Sequence, residues 1–449
     1  MKPKINHFMY KPALLICSVI LMTSCQTVSP RNHYAIPNEV LISDHVTATS
    51  LSQWLELALK YNPILKQANE KRIQAQLVIE DRFANRLPDL KIGLDSGRRQ
   101  TTASITESNN LTTTFSWELD WIGKLSNAEQ QAIFAFEQAN ASAFLSQQTV
   151  LKQVAQTYLN TVQAKALLEV YQQREILLTQ QLQMLEENYQ LGLTSALDVY
   201  LARSNLASEQ SRVVNQLQVV KQSVLLLQSS VGILPSKTEL TLFSPTLQKN
   251  SVEVVTSEQL LTRPDVSAAW YELLAANEAT AVAFKAQFPS FKLSVSGGYS
   301  SEEFKSLLKG DFLWSWVANL SQPLFDGGRL ANEFARVSSN ERVALAKLQD
   351  VMNKAYGDID VELARSLSIE QRFTLANTAF DNAQLAQTLS FSQYQKGLVT
   401  FTTVLDAQKR ALDAQVNVIS LQTEKMNQLI DLETALGRPL TAFFALTMR

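Results

Sequence analysis

Apolar positions recur with a helical period through two runs, Gly123 to Tyr189 and Gly328 to Tyr394, each more than sixty residues long and free of proline. In the first, apolar neighbours come in pairs at 143–144, 150–151, 154–155, 158–159, 166–167, 170–171 and 177–178. Separations of four and seven draw a stripe along a helix, and the doubling widens it enough for packing on two sides. At about 1.5 Å per residue each helix would be roughly 100 Å long. A compact core needs nothing so long, so the runs predict a shaft that bridges a distance, although an ordinary long coiled coil would show the same period. Each run opens on a Gly-basic-Leu step and closes on Tyr-x-x-Gly, at Gly192 and Gly397. Those glycines can take the left-handed position that ends a helix. Ser195 or Thr400 can then cap a returning helix, and Ser195-x-x-Asp198 reads as a capping box.

Upstream of each shaft the period changes to two. Leu90, Ile92 and Leu94 alternate with Asp89, Lys91 and Asp95, and Leu111, Thr113, Phe115, Trp117, Leu119 and Trp121 alternate with Thr112, Thr114, Ser116, Glu118 and Asp120. In the later half Phe291, Leu293, Val295 and Tyr299 oppose Lys292, Ser294 and Ser296, while Phe312, Trp314, Trp316, Ala318 and Leu320 oppose Ser315, Asn319 and Ser321. Four strands of about ten residues follow, paired as two hairpins with one apolar and one polar face. A soluble sheet resting on a core has this pattern too. Here, however, the strands stand between very long helices that leave no apolar face to cover them. Four of the six tryptophans, Trp117, Trp121, Trp314 and Trp316, fall on the two returning strands, as in the aromatic girdle of a membrane barrel. Four strands cannot close, and an open edge would leave unpaired backbone in lipid. Two copies would give eight strands around a filled interior and three would give twelve around a lumen. The charged face, with Asp89, Lys91, Asp95, Glu118 and Asp120, favours the wetter cylinder.

The two halves are copies. Pro63 and Pro88 match Pro264 and Pro289 at an offset of 201, and Gly123, Tyr189, Gly192 and Gly232 match Gly328, Tyr394, Gly397 and Gly437 at 205. Four extra residues therefore enter between Pro289 and Gly328, in a predicted surface loop. The first repeat spans 49–233, with a β-hairpin at 88–121, a long helix at 123–190 and a return helix at 195–232. The second spans 263–437, with a β-hairpin at 289–324, a long helix at 328–395 and a return helix at 400–436. A connecting segment, 234–262, and a C-terminal tail, 438–449, complete the chain.

Only Cys17 and Cys25 are present, so a disulfide framework is excluded. Residues 1–24 read as a signal peptide: a basic start, the apolar run Ala13 to Met22, then Thr23-Ser24 before Cys25. That run is half the length of a membrane span. Leu21-Met22-Thr23-Ser24-Cys25 resembles a bacterial lipoprotein processing site, which would make Cys25 the lipidated first residue of a tether over 25–48. A plain signal peptide with a chance cysteine is the alternative. By the same resemblance, Gln26 points to outer-membrane sorting. Loss of the leader, with Lys2, Lys4 and Lys11, takes the net charge from −2 to about −5, which gives nucleic acid no basic stripe to bind. The only histidines are His7, His33 and His45, and no phosphate loop, zinc spacing or nucleophile elbow occurs. An enzyme, a cofactor and a metal are not expected.

Four stretches carry a resemblance to a known family. They are Leu57-Ala58-Leu59 with Asn62-Pro63, Ser116 to Asp120 with Gly123-Lys124, Gln322 to Arg329, and Tyr394 to Gly397 with Val404-Leu405-Asp406-Ala407. Together they resemble the TolC-type outer-membrane efflux ducts, and in particular their OprM-like lipoprotein branch. The resemblance implies an α+β membrane protein whose homotrimer pools its strands in a twelve-stranded barrel above a long helical periplasmic barrel. It also implies partners: a periplasmic adaptor, an inner-membrane transporter and outer-membrane lipid. By position it implies a gate at Asp406, Thr402 and Thr403, with three copies of Asp406 forming an acidic ring, and strand-to-helix junctions at Gly123, Lys124, Gly327, Gly328 and Arg329. Gly192, Leu193, Gly397 and Leu398 would be adaptor-docking tips. The function expected is a passive exit duct of a tripartite efflux system; the outer channel of a type I protein secretion system, or a periplasmic coiled-coil adaptor or structural lipoprotein, are the alternatives.

Overall fold

The computed structural model describes residues 48–102, 104–233, 242, 243, 245 and 262–447, the last three by backbone alone. Cys25, the leader, the tether and nearly all of the connecting segment lie outside the described residues. In chain order the elements are α1 (Leu51–Tyr61), α2 (Pro63–Ala84), β1 (Asp89–Gln100), β2 (Ile105–Leu119), α3 (Lys124–Gln190), α4 (Ala196–Val231), α5 (Pro264–Lys285), β3 (Ser290–Ser301), β4 (Phe312–Ser321), α6 (Arg329–Gln395), α7 (Phe401–Ala435) and α8 (Leu440–Thr447). The two shafts, α3 and α6, are each 67 residues, about 100 Å of helix. Each folds back into a shorter partner, α4 or α7, and α3 meets α7 along a narrower seam between the two hairpins.

Apolar burial concentrates where the short helices lie across the long ones. Trp54 of α1 packs with Val150, Leu151, Val154, Ala155, Tyr158 and Leu159 of α3, the doubled positions at the middle of the stripe. The expected C-terminal tail holds a helix: Leu440, Phe443 and Phe444 of α8 enter this same core, and Leu440 N donates to Gln148 Oε1 at 2.8 Å. A second cluster joins Val266 and Ala269 of α5 to Ala355 and Ile359 of α6 and Leu432 of α7.

The duplication shows in how the return helices stop. Both end at a glycine with positive φ, Gly232 at 88° and Gly437 at 71°. A Cβ on Gly232 would lie 2.7 Å from Pro63 Cδ, and one on Gly437 would lie 2.6 Å from Arg263 Cγ. The start of α2 and the residue that precedes α5 press on these glycines, and Arg263 Nη1 donates to Ala435 O at 2.7 Å. The left-handed backbone and the close approach both demand glycine.

The four strands form one antiparallel sheet in the order β1-β2-β3-β4. Register sorts its faces row by row. Leu90, Phe115, Val295 and Trp316 stand in one row, Leu94, Leu111, Tyr299 and Phe312 in another, and Leu119, Phe291 and Leu320 in a third. Between these rows lie Lys91, Thr114, Ser296 and Ser315, then Glu118, Lys292 and Asn319, on the opposite face. No helix among the described residues covers the apolar rows: every residue of β1 and of β4 is exposed. The loop from β3 to β4 holds a short 3₁₀ turn, Phe304–Lys309, absent from the tighter loop joining β1 to β2, which is where the extra residues of the second copy are accommodated. No helix among the described residues is long and apolar enough to cross a membrane.

Gly232→Ala is expected to cost about 1–2 kcal/mol from the left-handed backbone alone, and more from the clash with Pro63. Gly192→Ala, at a φ of 73° with nothing within 4 Å of its Cβ, should cost only the backbone part. Thermal unfolding followed by circular dichroism ranks the two; equal midpoints would remove the packing role assigned to Gly232.

Candidate functional site

Each shaft starts at a strand-to-helix junction built on an aspartate. Asp120 accepts from Leu125 N and Ser126 N at 2.8 Å each and from Ser126 Oγ at 2.6 Å. Asp326 accepts from Gly328 N and Leu330 N at 2.9 Å each. A carboxylate at a helix N-terminus satisfies orphan N–H groups and meets the positive end of the helix dipole. The chain can fold its own aspartate over the helix start only by turning sharply, and Gly123 (φ 74°), Gly327 (66°) and Gly328 (82°) make that turn. Lys285 Nζ donates to the Gly123 carbonyl at 3.2 Å, and Lys124 Nζ pairs with Glu118 Oε1 at 2.6 Å. Arg329 is exposed at the first position of α6. Trp117, expected in an aromatic girdle, is half-buried and donates Nε1–H to Arg86 O at 2.9 Å, while Trp121, Trp314 and Trp316 are exposed.

At the other end, both hairpin tips close with the same paired backbone bonds. Leu193 N donates to Asn188 O at 2.8 Å and Gly192 N to Tyr189 O at 2.9 Å; Leu398 N donates to Gln393 O at 3.0 Å and Gly397 N to Tyr394 O at 2.8 Å. This is the double bond of a left-handed helix end, with φ 73° at both glycines. Leu193 and Leu398 stand outward, 73% and 69% exposed.

The two tips are then tied together. Tyr394 Oη donates to Asp198 Oδ2 at 3.1 Å and lies 2.9 Å from Thr194 Oγ1. Burial holds the Tyr394 hydroxyl above the ordinary tyrosine range; the Thr194 bond opposes this and the Asp198 charge adds to it. The phenol therefore keeps its proton, and with it the bond, through neutral pH. Ser195 Oγ does accept from Asp198 N, at 3.2 Å, so half of the predicted capping box forms; the Asp198 carboxylate goes to Tyr394 instead. Beneath the tie, Phe401 and Val404 pack on Leu185, Val199 and Ala202. Tyr189, the counterpart of Tyr394 in the first copy, is 50% exposed. The repeated Tyr-x-x-Gly motif marked both tyrosines, and only tertiary structure selects one.

Thr402, Thr403 and Asp406 lie on the exposed face of α7, with Phe401 and Val404 buried behind them. Asp406 is paired: Arg410 Nε sits 3.0 Å from its Oδ2, one turn on. This face of α7 therefore carries both signs of charge. Thr400 heads α7 without a side-chain cap bond, and its hydroxyl meets Thr403 Oγ1 at 3.2 Å.

Between tip and core, α3 and α7 meet through polar groups. Arg174 Nη1 donates to Gln408 O at 2.9 Å, and Gln408 Nε2 to Gln181 Oε1 at 2.9 Å. Arg174 Nε is also 3.2 Å from Glu209 Oε2 of α4. Burial pushes the Glu209 carboxyl up and the Arg174 guanidinium down, while their mutual attraction opposes both shifts. Sequence reading missed this pair, because an arginine and a glutamate on separate helices carry no mark of being neighbours. Among the described residues no cluster of His, Cys, Asp or Glu is suited to a metal ion.

Residues 54–233 and 255–438 match the family described as "Outer membrane efflux protein". The toluene efflux pump outer membrane protein TtgF of Pseudomonas putida is 27% identical over 353 residues, covering 76% of this chain and 73% of that protein. The probable outer membrane lipoprotein SilC of Salmonella typhimurium is 24% identical over 467 residues, covering 96% and 99%. The crystal structure of the outer membrane protein VceC from Vibrio cholerae shares the fold with a TM-score of 0.79 at 22% identity, over 86% of this chain and 96% of that one.

Tyr394→Phe is expected to remove the bond to Asp198 and leave the apolar packing beneath it. Hydrogen–deuterium exchange should then rise several-fold around residues 194–200 and 393–403 and stay unchanged along the sheet. Unaltered exchange at both tips would mean that the hydroxyl holds nothing together.

Proposed function

The chain belongs to the outer membrane efflux protein family, and from that premise we propose that it works as a trimeric, lipid-anchored exit duct with a gate at its helical tips. One observation carries the reading: a four-stranded sheet with an uncovered apolar face and two free edges, β1 and β4. In hydrocarbon those edges need partners. Pairing β4 of one copy with β1 of the next removes every edge, and three copies make a twelve-stranded cylinder with its polar face turned to a lumen. Leu324 and Phe325, each 93% exposed in a single copy, supply apolar surface for a neighbouring copy at the base of that cylinder. The helical hairpins continue the wall below.

A duct in the outer membrane has no energy source there, so its role is passive, and a pump and an adaptor on the far side drive transport. The outward Leu193 and Leu398 suit docking by an adaptor hairpin. The bonds from Tyr394 to Asp198 and Thr194 hold the α6–α7 tip against the α3–α4 tip, and releasing them lets the two separate. Asp406, Thr402 and Thr403 line the face that three copies turn toward their axis, with Arg410 tempering the charge. Lipidation of Cys25 adds a second anchor. No catalytic role is assigned. A coiled-coil adaptor would have no use for an amphipathic sheet of this kind.

The wild-type chain should purify from outer membranes as a trimer in mild detergent and conduct ions in planar bilayers, whereas Phe325→Asp should run as a monomer. A monomeric wild type without conductance would overturn the duct. Cys25→Ser should lose palmitate labelling yet stay in the outer-membrane fraction, because the barrel holds it there; a soluble variant would show that the strands do not span.

A further inference from the structure

Arg174 of α3 and Glu209 of α4 form a buried ion pair between the main core and the tips, and α7 lies across it. Glu209 is 3% exposed and Gln408 of α7 is 1% exposed. The Gln408 carbonyl accepts from Arg174 Nη1, and its amide donates to Gln181 Oε1, at 2.9 Å each. One guanidinium therefore joins the α3–α4 hairpin to the first half of α7.

The groups gathered there are poorly matched. Arg174 Nε lies 3.2 Å from Glu209 Oε2 without the alignment of a hydrogen bond. Glu209 Oε1, Gln408 Oε1 and, one turn before Glu209, Asn205 Nδ2 are buried and have no partner. Such groups cost free energy while packed and are satisfied once water reaches them. The charges acting on Glu209 are Arg174 and Glu175 of α3 and Arg212 of its own helix, whose Nη1 is 4.0 Å from Oε2. Asp413 of α7 acts on Arg174, and Tyr171 of α3 lies under the Arg212 guanidinium, 5.6 Å from it.

Two arginines beside a carboxylate would ordinarily favour its charge. Here burial outweighs both and holds the Glu209 carboxyl above the usual glutamate range, because desolvation of a buried pair can exceed its attraction. The packed seam then binds a proton more tightly than a seam open to water, where Glu209 recovers an ordinary carboxyl. Linkage gives the sign: the added stability of the packed form is complete below the ordinary glutamate range and is lost as pH rises through the raised value. Parting α7 from α3 and α4 brings water to Arg174 and Glu209; that this parting belongs to the opening of the gate rests on the duct reading.

We propose that Glu209 makes closure of the helical tips proton-linked: a neutral Glu209 seats α7 on α3 and α4, and an ionised one loosens that seat. Acid tightens the closed form and mild alkali frees it.

Hydrogen–deuterium exchange of the full-length protein in mild detergent, at pH 5 and at pH 8, tests this when expressed as protection relative to the chemical exchange rate at each pH. In the wild type, residues 170–181 and 404–413 should be protected several-fold better at pH 5, while the core of α1 and α3 stays the same. Glu209→Gln carries no charge at either pH and should show the pH 5 protection at both. The double variant Glu209→Leu with Arg174→Met removes both buried charges, should also lose the pH dependence, and serves if Glu209→Gln does not fold. Tyr394→Phe, which releases the tip carboxylate Asp198, should keep the dependence at 404–413. A wild-type seam indifferent to pH, a dependence that survives in the folded Glu209 variants, or one that vanishes in Tyr394→Phe would each overturn the proton link. Conductance of the same preparation in planar bilayers separates the two readings: pores with a pH-indifferent seam sink the proton link alone, and a Glu209-dependent seam without pores sinks the duct alone.

Discussion

A strand edge that meets hydrocarbon has no water to pair its N–H and C=O groups, so each group must find its partner in protein. That requirement governs this molecule. The chain supplies four strands whose register keeps Leu90, Phe115, Val295 and Trp316 on one face and Lys91, Thr114, Ser296 and Ser315 on the other, but it supplies two edges as well. One copy therefore cannot be stable in a membrane, and the shortest closed solution with a wet interior needs three. The rest of the architecture serves that closure: each hairpin must hand its direction to a helix about 100 Å long without fraying at the join.

The joins do this with the same chemistry twice. Asp120 and Asp326 fold over the starts of α3 and α6, and left-handed glycines allow the turn. At the far end of each return helix, a left-handed glycine lets the start of the short helix that opens the same repeat approach closely, Gly232 against Pro63 and Gly437 against Arg263. These positions tolerate no side chain, so the repeat has kept its landmarks there while its surface sequence has drifted.

At the tips the copies part company. Between the hairpins, the bonds of Gln181 with Gln408, Gln163 with Ser420 and Gln156 with Asp431 lie between two apolar contacts, Met426, Leu429 and Ile430 with α3 in the main core and Phe401 and Val404 beneath the tips. Each such bond is worth only about 0.5–1.5 kcal/mol net, because water can replace it. Interdigitated side chains have no such substitute. The tie from Tyr394 to Asp198 sits at the tip end of this seam.

Local chemistry let the sequence determine a good deal. Proline-free helical runs, two-residue alternation after Pro88 and Pro289, and glycines at fixed offsets are properties of neighbours along the chain, so helices, strands and duplication were legible. The helix α8 was not, because Leu440, Phe443 and Phe444 are too few to show a period. Nor were the contacts that make the site. Tyr189 and Tyr394 occupy equivalent motifs, yet one faces solvent and the other bonds Asp198, 196 residues away; the pairing of Asp406 with Arg410, one turn on, was not read from the sequence either. Which residue meets which across helices depends on how long elements pack. That packing is a sum over many weak contacts distant in sequence, and only the tertiary structure decided it.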